Sequence, residues 1–192
     1  MDKVQELKER LISAARLAEK DGLCRHKSGN FSICIRDENK VLITPSEISR
    51  DVLEPEDVIA VDLDGNIIEN RNRRKPSREL RMHIEIYKAR EDVSAVVHTH
   101  SIYATAFAVK GIAISPILAE AEFYGGKVEI ASFAEPGSAE LAKNAAEAIK
   151  KADVCLLKNH GVITVADTIE NALLKACYVE DAAQIEAISK FL

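Results

Sequence analysis

The sequence predicts a mixed α and β domain built in layers. Segments with helical apolar spacing bracket runs of short strand-like segments. Two early pairs of strand-like segments are separated by turn residues and read as hairpins. Hairpins join antiparallel neighbours, so a purely parallel sheet is excluded.

Val4, Leu7, Leu11, Ala15 and Ala18 recur at helical spacing, which predicts an amphipathic first helix. Phe31, Ile33 and Ile35 then alternate with Ser32, Cys34 and Arg36, a strand pattern. Asp37-Glu38-Asn39 turns the chain into Val41-Leu42-Ile43. Val58–Val61 and Ile67-Ile68 flank Asp64-Gly65, which predicts a two-residue hairpin turn. Lys75-Pro76 followed by Ser77 predicts a helix starting at Ser77, with Leu80, Ile84 and Tyr87 on its apolar face. Val93–Val97 reads as a short strand, and Ser138 opens a helix that faces Leu141, Ala145 and Ile149 inward. Val154–Leu157 reads as a buried strand, and Gly161 turns the chain into Val162–Val165. A last helix opens at Asp167-Thr168-Ile169-Glu170 and runs nearly to Leu192.

The 192 residues suit one domain, 1–192, with its own core. Lys and Arg number 26 against 31 Asp and Glu, a net charge of −5. That balance argues against nucleic acid or an anionic membrane as the main partner. No apolar stretch approaches the roughly 20 residues of a spanning helix. The charged start, Met1-Asp2-Lys3-Val4-Gln5-Glu6, lacks an apolar core, so no secretory signal is expected. Cys24, Cys34, Cys155 and Cys177 form no C-x-x-C pair and read as free thiols in a reducing, cytoplasmic compartment.

Chemistry concentrates in four places. In Val97-His98-Thr99-His100-Ser101, residues two apart on a strand share a face, so His98 and His100 project together. His160 lies just past another strand, before Gly161. Three neutral imidazoles and an open position make the ligand set of a catalytic divalent metal such as Zn²⁺. The same residues also read as ordinary packed histidines. In Pro76-Ser77-Arg78-Glu79, Glu79 reads either as a complement to the helix dipole or as a general base. His83 reads as a packed histidine or a partner behind the ligands. Ser28-Gly29-Asn30-Phe31-Ser32 is either a plain turn or a presenter of N–H groups to an anion. Thr44-Pro45-Ser46 puts hydroxyls at a strand end and is equally open.

Taken in this order and spacing, the four motifs resemble the class II aldolase/adducin family over nearly the whole chain. The resemblance implies a three-layer αβα sandwich around a mostly antiparallel sheet. It implies that His98, His100 and His160 ligate a divalent metal, usually Zn²⁺, with Mn²⁺ or Co²⁺ also suited to imidazole. Glu79 then both ligates the resting metal and serves as acid and base. Gly29, Asn30, Ser46 and Ser77 match positions that hold the substrate phosphate and nearby oxygens. The implied partner is a small-molecule sugar phosphate, and the implied assembly a homotetramer. The implied reaction is reversible cleavage of a ketose phosphate, such as L-fuculose 1-phosphate, into dihydroxyacetone phosphate and an aldehyde through an enediolate.

Several positions depart from the aldolase pattern. Glu47 stands where the T-P-[ST]-G motif has glycine, and Arg78 replaces the second serine of P-S-S-E. Arg78 would attract a phosphate and Glu47 repel one, so they either offset each other as an ion pair or signal a different anion. Ala119 or Glu120 falls where aldolases carry a tyrosine, and the chain ends at Leu192 without the longer tail of some relatives. Glu122 falls about where dehydratases and epimerases of the family carry a second catalytic carboxylate. The alternatives are therefore a sugar-phosphate dehydratase or 4-epimerase using Glu122, and a non-catalytic interaction module. Glu122 also reads as a solvated charge or interface residue.

Overall fold

The computed structural model describes residues 3–192; Met1 and Asp2, part of the charged start, lie outside the described residues. The elements follow in order as α1 (Lys3–Lys20), β1 (Asn30–Ile35), β2 (Lys40–Ile43), β3 (Ile59–Val61), β4 (Ile67–Glu69), α2 (Leu80–Ala89) and β5 (Ala95–Thr99). Then come α3 (Ile102–Lys110), α4 (Ala121–Tyr124), β6 (Ile130–Ala131), α5 (Ala139–Ile149), β7 (Val154–Leu157), β8 (Gly161–Ala166) and α6 (Ile169–Ser189). One sheet runs in the order β4-β3-β2-β1-β5-β8-β7-β6. Its pairings are antiparallel except β6 with β7.

Helices cover both faces, giving the three-layer αβα sandwich. Strand alternation decides which residues meet which layer. Phe31, Ile33, Ala95 and Val97 pack with Leu11, Ala15 and Leu173 of α1 and α6. Cys34, Val96, Ile163 and Val165 pack with Met82, Tyr87, Leu141 and Ile149 of α2 and α5. α3 and α4 extend the first layer over Val154, Leu156 and Val162. Each fully buried Phe31, Leu42 or Ile86 contributes roughly 1.5–3 kcal/mol. The central strands are buried on both faces, which is why β7 and β8 read as continuous apolar runs. Cys24, Cys34 and Cys155 are buried free thiols, and Cys177 is half-buried; burial pushes Cys24 and Cys155 up to about 12.

Three expectations need correction. The β3–β4 connection is a three-residue loop: Asp62 N–H donates to Asn66 O, and Gly65 takes φ +88° between them. α2 begins at Leu80 rather than Ser77. Ser77 Oγ accepts the Glu79 N–H at 3.2 Å, a local turn that competes with the helix. Glu79 is therefore the residue before the first helical turn, at φ −99° and ψ 14°. The strand expected at Val93 runs instead from Ala95 to Thr99, so His98 lies on β5 and His100 one residue past it. α3, α4 and β6 went unpredicted. α3 (IYATAFAVK) is too uniformly apolar to show a polar stripe, and β6 has only two residues.

Candidate metal centre and active site

The ends of β1, β5 and β8 meet on the α2 face of the sheet. Register places Asn30 beside His98, and His98 beside Ile163. His98 therefore points to the same layer as Val96, towards the start of α2. His100 is held just beyond the strand by its N–H, which donates to Leu23 O at 3.1 Å. His160 arrives on the tight β7–β8 turn, where Asn159 adopts φ +56° and His160 N–H donates to Leu157 O.

Gly161 is needed here for closeness rather than for the turn that the sequence suggests. A Cβ at Gly161 would stand 2.3 Å from Thr99 O and 3.0 and 3.1 Å from the His100 and His98 rings. The three rings consequently pack edge to face, with centroids 4.7, 4.8 and 5.0 Å apart. One ligand atom from each lies within 4.8 Å of the others. Glu79 closes the group: Oε2 is 3.1 Å from His98 Nε2, and Oε1 is 3.3 Å from His160 Nε2. The turn that displaced the start of α2 is what leaves the Glu79 side chain free to face the histidines.

These donors fit a divalent cation. His98 Nδ1 donates to Val162 O at 2.9 Å, which leaves a lone pair on Nε2. That lone pair faces both Glu79 Oε2 at 3.1 Å and His100 Nε2 at 2.9 Å, a convergence of acceptors that a cation would satisfy. Glu79 Oε1 is buried with no hydrogen-bond donor, and so is His160 Nδ1. Burial holds His98 down at about 3, with the neighbouring His160 adding to it. Burial holds His100 at about 3 as well, ahead of the effect of its neighbours His98 and His160. Both imidazoles are neutral at pH 7, the form that binds metal.

A cavity of about 360 Å³ opens over this cluster, lined by Gly29, Asn30, Ser46, Ser77, Glu79, His100 and His160 among others. The structure thus brings together the Gly-Asn turn, both serines and the histidine group. Gly29 has no room for a side chain: at φ +76°, a Cβ would meet Cys24 Sγ at 2.5 Å and His98 O at 2.6 Å. Buried Arg50 donates to Ser28 O and Gly29 O and so fixes the turn from behind. Ser46 Oγ donates to Pro76 O at 2.9 Å, tying the two serine motifs together. Arg78 and Glu47 both reach the rim and form an ion pair at 2.7 Å, the first of the two arrangements their charges allowed.

Glu122 is not among the cavity residues; it sits exposed on α4, which packs against α6. Sequence reasoning missed Arg50, which lies 21 residues from the Gly29 carbonyl it anchors, and His26 and Lys27 at the cavity edge. A basic pair shortly before Gly29-Asn30 was the available signal for the latter two. Among the described residues, no helix is long and apolar enough to cross a membrane.

The comparisons with known proteins agree with this geometry. The family described as Class II Aldolase and Adducin N-terminal domain matches residues 9–187. An L-fuculose phosphate aldolase of Methanococcus maripaludis is 41% identical over 160 residues, covering 83% of this chain and 84% of that protein. A 5-deoxy-D-ribulose 1-phosphate aldolase of Bacillus thuringiensis is 37% identical over 182 residues, covering 95% and 84%. A solved L-fuculose 1-phosphate aldolase superposes with a TM-score of 0.91 at 33% identity, covering 96% of this chain and 86% of that one. The L-fuculose-1-phosphate aldolase of Thermus thermophilus gives 0.85 at 25%, covering 96% and 94%. With the family matched over residues 9–187 and with the same fold, this chain belongs to the class II aldolase and adducin family.

Proposed function

We propose that this enzyme, a class II aldolase, reversibly cleaves a ketose 1-phosphate into dihydroxyacetone phosphate and a short aldehyde. The observation that carries the reading is the convergence of three imidazoles and one buried carboxylate under a cavity with the Gly29-Asn30 turn at its edge. The relatives are named for L-fuculose phosphate and 5-deoxy-D-ribulose 1-phosphate, and the latter name places the phosphate on carbon 1 of a ketose.

His98, His100 and His160 would hold a divalent cation, with Zn²⁺, Mn²⁺ and Co²⁺ all compatible with imidazole. When bound, that cation supplies Lewis-acid stabilisation of the negative charge left on the ketose oxygens as the carbon–carbon bond breaks. Glu79 hands a proton to the carbon freed by cleavage and takes one from it in the reverse direction. Such proton transfer contributes typically roughly 10²- to 10⁴-fold in rate. The N–H groups of the Gly29-Asn30 turn, with the Ser46 and Ser77 hydroxyls, hold the phosphate and orient the ketose, while Arg78 offers a cation at the rim. The alternative dehydratase or epimerase reading assigns Glu122 a proton, and within one chain Glu122 does not reach the cavity. The homotetramer and cytoplasmic location belong to the same proposal.

The test is to load metal-free protein with Zn²⁺, Mn²⁺ or Co²⁺ and offer ketose 1-phosphates and 5-phosphates. Cation-dependent release of dihydroxyacetone phosphate from a 1-phosphate is expected. Epimer formation or loss of water without cleavage would overturn the aldolase reading.

A further inference from the structure

Behind Glu79, a line of polar side chains continues into the core between the sheet and α2. Asn30 Nδ2 donates to Glu79 Oε2 at 2.9 Å. Asn30 Oδ1 lies 2.5 Å from His83 Nε2, and His83 Nδ1 lies 2.6 Å from Ser32 Oγ. Ser32 Oγ in turn lies 2.7 Å from the Tyr87 hydroxyl. Ser32, His83 and Tyr87 are 0% exposed, and none of them lines the cavity. A packed core has no need of this line, since each buried polar group costs free energy unless it is paired.

The chain of bonds has a direction. An ionised carboxylate only accepts, so the Asn30 amide must turn its nitrogen to Glu79 and its oxygen to His83. His83 must then carry its proton on Nε2. Burial keeps His83 neutral by holding it down at about 3, so Nδ1 is left with a lone pair. Ser32 donates to that lone pair, and Tyr87 donates to Ser32. A reversed amide would press Asn30 Oδ1 against the Glu79 carboxylate and leave two acceptors facing each other.

We propose that His83 is a positioning residue: its Nε2–H, donated to Asn30 Oδ1 and matched at Nδ1 by Ser32 and Tyr87, fixes the Asn30 amide and so holds the Glu79 carboxylate against His98 and His160. This rests on the reading of Glu79 as the acid–base group of the site. It gives a role to a histidine that the ligand set leaves over, and it explains why Asn30 is paired on both ends of its amide.

The test compares His83→Leu, which removes both nitrogens, with His83→Gln, whose amide returns a donor near the Nε2 position. For His83→Leu, kcat is expected to fall about 10- to 100-fold, as does Zn²⁺ affinity measured by calorimetry on metal-free protein. KM is expected to change by less than about 2-fold, because the phosphate contacts are untouched. His83→Gln should recover most of both losses. Nitrogen-15 NMR of the wild-type imidazoles, which needs no variant to fold, should show His83 protonated on Nε2. An Nδ1–H tautomer, an unchanged kcat and Zn²⁺ affinity in His83→Leu, or equal losses in both variants would each overturn the proposal. If the wild type cleaves no ketose phosphate, the aldolase reading fails, while the tautomer and the Zn²⁺ affinities still decide the role of His83.

Discussion

The floor and the rim of the cavity are built differently. On the floor, His98 is 0% exposed, and its ring is fixed by a backbone carbonyl on β8 and by the packing that Gly161 permits. At the rim, Arg78 and Glu47 side chains are 78% and 67% exposed and are held mainly by each other. Burial makes the floor geometry unique, because a buried polar atom has few partners to choose from. The rim pair is solvated and holds little energy. The groups to which the proposed chemistry is assigned are therefore ones that cannot vary without rebuilding strand ends, while the rim pair can vary freely.

The sharpest way to break this contrast is His98→Ala. Loss of cation retention is expected to exceed the roughly 10- to 100-fold that partners behind the ligands are worth. Metal content after dialysis checks it; a full complement of cation with an undiminished rate would remove the three histidines from the chemistry. Next comes Glu79→Gln, which keeps shape and burial and removes the exchangeable proton. Turnover should drop by roughly 10²- to 10⁴-fold with cation content retained. A rate equal to wild type would show that Glu79 handles no proton.

Acid should loosen the floor. His83, buried behind Asn30, is pushed down to about 3 mainly by burial, as are His98 and His100. In the unfolded chain these groups return to about 6.5. Between those values the unfolded chain binds more protons, so folding free energy is complete above about pH 6.5 and is lost as pH falls towards 3. Urea midpoints of metal-free protein at pH 7, 5.5 and 4 should decrease in that order. A flat series would mean that the imidazoles reach solvent in the folded state.

The sequence held more of the floor than of the rim. H-x-H read as one strand face put His98 and His100 together because side-chain direction on a strand is a local property. His160 was nameable from its motif, but its approach depends on β8 pairing with β5, a contact between residues 63 to 71 positions apart, from Thr99 with Val162 to Ala95 with Ala166, that no local pattern encodes. The place of Glu79 before the helix was hidden because Ser77 suits a helix cap as well as a local turn, and only tertiary packing chose between them. Arg50, Ser32 and Tyr87 carried no signal at all: a buried guanidinium and two buried hydroxyls acquire their roles only when distant strands bring them partners. The layered architecture was legible because hairpins and amphipathic helices are local, whereas α3 lacked the polar face that would have marked it.

The smallest expected effects lie at the rim, and there the two partners of one ion pair should act with opposite sign. Arg78→Ser removes a cation from the cavity edge, so KM for a phosphorylated ketose should rise by roughly 2- to 5-fold, the range of an exposed charge contact. The rise should shrink at 1 M salt, where the screening length is about 3 Å. Glu47→Gly removes the carboxylate that neutralises Arg78, and it also relieves a non-glycine residue held at φ +65°. KM should therefore fall, and the variant should gain up to about 1–2 kcal/mol of stability by losing the left-handed cost. In both variants kcat should stay near wild type, since neither residue touches the histidines or Glu79. If Arg78→Ser leaves KM unchanged while Glu47→Gly lowers it, the anion is held by the Gly29-Asn30 turn and the serines alone. The ion pair would then neither hold the anion nor shield it from Glu47.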